Sequence, residues 1–142
     1  MLQPSPNVLN AFGLRDPHLS PAPRGWGRGI LADSIVLTPV VDRARATWSA
    51  RIRDTLDPSG IRIARPFRAT DGRTIVGDWR ADRYGAGVLQ NRPDEVVATS
   101  LRLHDALASH DRPRFLVGGP STPWSETDYF SMADRAAFHP AG

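Results

Sequence analysis

Cysteine is absent from the 142 residues, which excludes disulfides, thiolate metal centres and cysteine nucleophiles. Lysine is absent too: all 18 basic residues are arginine. That excludes a Walker-type phosphate loop, a Schiff base and any lysine base. No window approaches the roughly eighteen apolar residues of a membrane span, so none is expected. The start, MLQPSPNVLNAFG, has no basic residue and no apolar stretch of signal-peptide length. A cytoplasmic protein with no membrane partner is the default expectation.

What is present is ordinary for one globular domain with a real core: 40% hydrophobic and 23% charged residues. Thirteen prolines and twelve glycines predict short elements with many turns. The net charge is only +3. With arginine as the sole cation, a small excess raises the isoelectric point strongly, so basicity by itself carries little about nucleic acid.

Residues 1–24 read as an irregular lead-in with a short helix around Asn7–Leu14, ended by Gly13, and then an extended proline-rich stretch. Residues 30–41 read as a hairpin with its tip at Ala32-Asp33-Ser34. Asp42 suits the N-cap of a helix over 43–56, with Ala44, Trp48, Ile52, Thr55 and Leu56 on one face. A second hairpin is expected over 61–84, turning at Asp71-Gly72, with Ile61, Ile63 and Phe67 answered by Ile75, Val76 and Trp79. Pro66 suggests an edge or bulge there. Residues 84–91 read as a linker. Pro93 with Asp94 and Glu95 opens a helix to about Ser109, striped by Val97, Leu101, His104 and Ala108. A short third helix is expected within 125–138. The sum is an α+β fold: a small antiparallel sheet with a packed helix over 1–88, then a helical annex over 89–142 packed with it as one unit.

This order of elements resembles the N-terminal lobe of the protein-kinase-like fold found in aminoglycoside phosphotransferases. The matching stretches are GWGRG for the glycine loop, SIVLTPV for the third strand, residues 42–56 for the helix, 61–84 for the last strands and YGAG for the hinge. Leu103-His104 resembles a pair in the helix after the hinge. More narrowly, AFGLR, VLTPV, ARATWSARIR, RIARPFRATDGR, WRAD and RPRFL are similar to the N-terminal half of an actinobacterial family of uncharacterised phosphotransferase-like proteins. The resemblance covers nearly the whole chain. It implies that Arg24, Gly25, Trp26, Gly27, Arg28, Gly29 and Thr38 line a nucleotide site, with magnesium-ATP as the ligand.

Several residues depart from that plan. Thr38 stands where the phosphate-binding lysine is implied, and residues 43–56 contain no glutamate to pair with one. No HGD or HRD loop and no DFG motif occurs. Charge-stabilising groups of this kind carry orders of magnitude in rate. The chain therefore reads as a pseudoenzyme-like module with no catalytic residue, no metal site and no cofactor of its own, acting through a protein partner or a second copy. Trp48, Trp79, Arg80, Arg83, Tyr84, Val88 and Leu89 are candidates for that partner surface. The alternative is the nucleotide-binding half of a split or truncated phosphotransferase. A third reading takes Trp79, Arg80, Arg83 and Tyr84, with Arg62, Arg65, Arg68 and Arg73, as a groove for single-stranded nucleic acid. Each feature also has a plainer reading. The glycines suit a tight hairpin, the arginines a solvated strand face, and His104 a core histidine with a backbone partner.

Overall fold

Helix α1 (Pro6–Ala11) begins where Ser5 accepts a hydrogen bond from the Val8 N–H at 3.4 Å, with Pro6 at the first helical position. In this computed structural model, which describes residues 2–87 and 90–116, α1 is followed by strands β1 (Leu19–Pro21), β2 (Ile30–Ala32) and β3 (Ile35–Pro39). Then come α2 (Arg43–Thr55), β4 (Pro66–Phe67), β5 (Ile75–Val76), β6 (Trp79–Arg83) and α3 (Pro93–Leu107). A single 3-10 turn covers Arg114–Leu116. The fold is α+β: among the described residues, an open antiparallel sheet of six short strands with three α-helices.

The chain divides after Ser109 into two units, and α3 belongs to the first. Val88, Leu89 and the helix expected within 125–138 lie outside the described residues.

Strands β1, β2 and β3 form a meander, and β6 inserts beside β3 with Ile35 opposite Arg83 and Pro39 opposite Trp79. Alternate residues face opposite ways. Ile30, Ala32, Ile35, Leu37, Trp79 and Ala81 point to a core completed by Val8, Phe12 and Leu14 from the N-terminal segment. Val36, and Asp82 opposite it, point the other way, where Arg53 of α2 meets Asp82.

Three expectations are corrected. The proline-rich stretch contains a strand, β1, at the sheet edge, where Pro21 is tolerated because its missing N–H faces no neighbour. The second hairpin reverses at Gly77-Asp78, leaving Val76 opposite Trp79, not at Asp71-Gly72. Gly77 has φ +57°, the backbone a two-residue hairpin turn asks for at its first central position. Asp71-Gly72 does turn, closed by Gly72 N–H to the Ala69 carbonyl at 2.8 Å. Its flanks, however, both pair with β6: Phe67 faces Ala81, and Ile75 faces Arg80. Residues 68–74 thus leave one sheet edge and return to it, touching the end of α1 through Thr70 N–H to the Ala11 carbonyl at 2.9 Å.

The third correction is the buried face of α2. Asp42 caps it as expected, accepting from Arg45 N–H at 3.1 Å. The buried side is Ala46, Ala50 and Ile52, continued by Leu56 past the helix end, whereas Ala44 and Thr55 are exposed. Two alanines let the helix approach closely, and Arg53 lies on this side because it meets a buried carboxylate.

Candidate functional site

Three features of the first unit carry chemistry. The glycine loop, residues 22–29, joins β1 to β2. Its base is closed by Ala22 N–H to the Gly29 carbonyl at 2.9 Å, and its interior by Trp26 N–H to Pro23 and Gly29 N–H to Trp26, both at 3.2 Å. Gly29 is buried, and a Cβ there would lie 2.5 Å from Val36 Cγ1. At this position glycine is needed for close packing. Trp26 is half-buried and meets Tyr84, their ring centroids 5.9 Å apart and tilted by 50°. Arg24 and Arg28 are exposed and have no ion pair among the described residues.

Beneath the sheet lies a charge cluster. Arg53 Nη1 donates to Asp82 Oδ1 at 2.6 Å and to the Ala64 carbonyl at 2.7 Å, and its Nε donates to Ser49 at 3.0 Å. Nη2 is buried with no hydrogen-bond partner among the described residues. The side chains of Asp82 and Arg53 are 5% and 18% exposed. Arg80 approaches the other carboxylate oxygen at 3.9 Å. Burial lowers the Arg80 pKa from its usual value; Asp82 opposes this and Arg53 adds to it. Thr38 pairs with Arg80 across the β3–β6 ladder and is half-buried. The resemblance implies a strand cation and a helix carboxylate. Here the helix carries the cation and the sheet the carboxylate. Nothing in the local pattern marked Arg53, since its partner lies 29 residues away.

The third feature is α3. None of its residues is buried, and Val96, Val97 and Leu101 are 62%, 60% and 65% exposed. Arg102, about half a turn round the helix from this side, donates to the Gly60 carbonyl at 3.4 Å. The helix therefore presents a polar side to Gly60 and leaves its apolar side open. His104 is exposed on α3, not in the core as expected. An open hollow of about 670 Å³ at the start of this helix is lined by Gln90, Arg92, Glu95, Val96, Thr99 and Ser100.

The structure spreads the sequence candidates out. Trp79 is in the core and 6% exposed, which takes it out of any partner surface, and Trp48 is half-buried on α2. Tyr84 joins the glycine loop, whereas Arg83 stacks over Phe67 at 5.3 Å. Of the arginines between 62 and 83, Arg65, Arg68, Arg73 and Arg80 each lie beside an aspartate, which removes much of the open positive surface expected of that stretch. Among the described residues no group of three or more histidines or carboxylates is placed to hold a metal ion. No helix among them is long and apolar enough to cross a membrane. No family model, no curated protein and no solved structure matches the chain.

Proposed function

We propose that this chain is a non-catalytic module on the plan of a kinase-like N-terminal lobe, acting by association with a protein partner or a second copy. The observation that carries this reading is α3, a fifteen-residue helix that buries no side chain and holds Val96, Val97 and Leu101 in water. Covering such side chains fully is worth about 1.5–3 kcal/mol each. Exposed apolar side chains grouped on one helix are the kind of surface at which partners bind. The plan itself is supported by the element order: three strands, a helix, then strands of which the last lies beside the third. The absence of catalysis is supported by Thr38, by an α2 without glutamate and by the missing lysine.

Sedimentation velocity over a wide concentration range, with a hydrophobic dye as second probe, tests this reading. Association or dye binding that Val97→Glu with Leu101→Glu abolishes supports it. A chain that stays monomeric, binds no dye and captures no partner contradicts it.

One observation favours a second reading, the nucleotide-binding half of a split phosphotransferase: the glycine loop sits at the tip of the β1–β2 hairpin. Calorimetry with magnesium-ATP decides it, and no heat of binding sinks it.

A further inference from the structure

We propose that the β1–β2 loop binds single-stranded nucleic acid, with one base stacked on Trp26 and the phosphates on either side of it taken by Arg24 and Arg28. This site is separate from α3 and does not rest on association there.

Trp26 meets one other aromatic ring among the described residues. The Tyr84 ring lies 5.9 Å from it, tilted by 50°, and the Tyr84 backbone is tied to the start of β3 by its N–H bonded to the Ser34 carbonyl at 2.9 Å. The indole is half-buried and keeps part of its surface in solvent. Every nucleobase has a π-face, so such a platform accepts single strands with little regard to sequence.

Arg24 and Arg28 lie two residues before Trp26 and two after it in the chain, both are exposed, and neither is neutralised by an aspartate among the described residues. The backbone N–H groups of Gly25 and Gly27 have no hydrogen-bond partner there either, and both glycines have positive φ, +104° and +60°. These N–H groups are not successive, since the Trp26 N–H between them is bonded to the Pro23 carbonyl, but each is a free donor for an anion. Gly29 anchors the base of the loop against Val36, so the tip is presented from a fixed root.

Two unpaired arginines, one before and one after Trp26 in the chain, suit a strand better than a mononucleotide. A mononucleotide carries its phosphates on one side of its base. A strand carries them on both. In a duplex the base faces are already stacked.

The size of the effect follows. Two phosphate contacts give a slope of log K against log salt of roughly −1.4 for a single strand. Loss of the stacking platform lowers affinity roughly 5- to 150-fold.

The test is fluorescence anisotropy of labelled single-stranded oligo-dT and oligo-rU, about twelve nucleotides long, with the full chain at low salt and through a salt titration. Saturable binding with a slope near that value is expected. Arg24→Gln with Arg28→Gln should flatten the slope towards zero. Trp26→Ala should weaken binding, and Trp26→Phe should restore most of it. The paired arginine variant touches only exposed side chains, so it keeps the test decisive if Trp26→Ala fails to fold. No saturable binding overturns the proposal. So does an affinity that either folded variant leaves unchanged, or displacement of the strand by ATP at lower concentration than by unlabelled oligonucleotide.

Discussion

Replacing Arg53 by alanine strips Asp82 of its short ion pair, and the structure sets the cost. The carboxylate is 5% exposed and, among the described residues, would keep Arg80 alone, at 3.9 Å. Removing one partner of a buried pair typically costs about 3–5 kcal/mol. Here Arg53 is 18% exposed and Arg80 remains nearby, so roughly 2–4 kcal/mol is expected. At roughly 4 °C per kcal/mol for a unit of this size, the melting temperature falls by about 8–16 °C. Asp82→Asn should cost less, roughly 1–2.5 kcal/mol, because Arg53 keeps the Ala64 carbonyl and the Ser49 hydroxyl. Arg53→Met combined with Asp82→Leu should recover most of the loss, since a buried pair exchanged for apolar groups is close to neutral. Urea unfolding of the four proteins measures all of this. The reasoning fails if Arg53→Ala lies within about 0.5 kcal/mol of the parent, the range of a solvated surface pair. It also fails if the double variant is as unstable as the sum of the singles.

Gly29→Ala forces a methyl group to within 2.5 Å of Val36 Cγ1. A loss of about 1–3 kcal/mol is expected in thermal unfolding, partly recovered by Val36→Ala. Asp71 is held below its usual pKa chiefly by the backbone N–H of Arg73. A lowered folded-state value stabilises above the ordinary carboxylate pKa and is lost as pH falls through the folded value. Stability curves of the parent and Asp71→Asn should therefore lie apart near neutral pH and converge at the acid end. Parallel curves throughout would remove Asp71 from the account.

Elements with local signals were legible in the sequence. Asp42 before a helical run and Asp33-Ser34 between apolar pairs each fixed a boundary, because the side chain or turn acts within three residues. Long-range consequences were not. Two turn-forming dipeptides, Asp71-Gly72 and Gly77-Asp78, lie six residues apart, and only pairing with β6 decides which reverses the hairpin. The α2 stripe holds at Ile52 and Leu56 and misses Ala46 and Ala50, which weigh little in an apolar pattern yet permit close packing. Arg53 carries no local signal, because its partner Asp82 lies 29 residues away. His104 sat in an apolar stripe that the fold leaves uncovered. A stripe tells which side of a helix wants cover, not whether the unit supplies it.

The most direct test of association through α3 is a benzophenone photo-crosslinker placed at position 101, in the chain expressed at its native level in the source cell. A second protein carries it at position 47, an exposed site on α2. The account predicts a discrete adduct, to a partner or to a second copy, from position 101 and not from 47. No adduct at 101, or the same adducts from both positions, would contradict it.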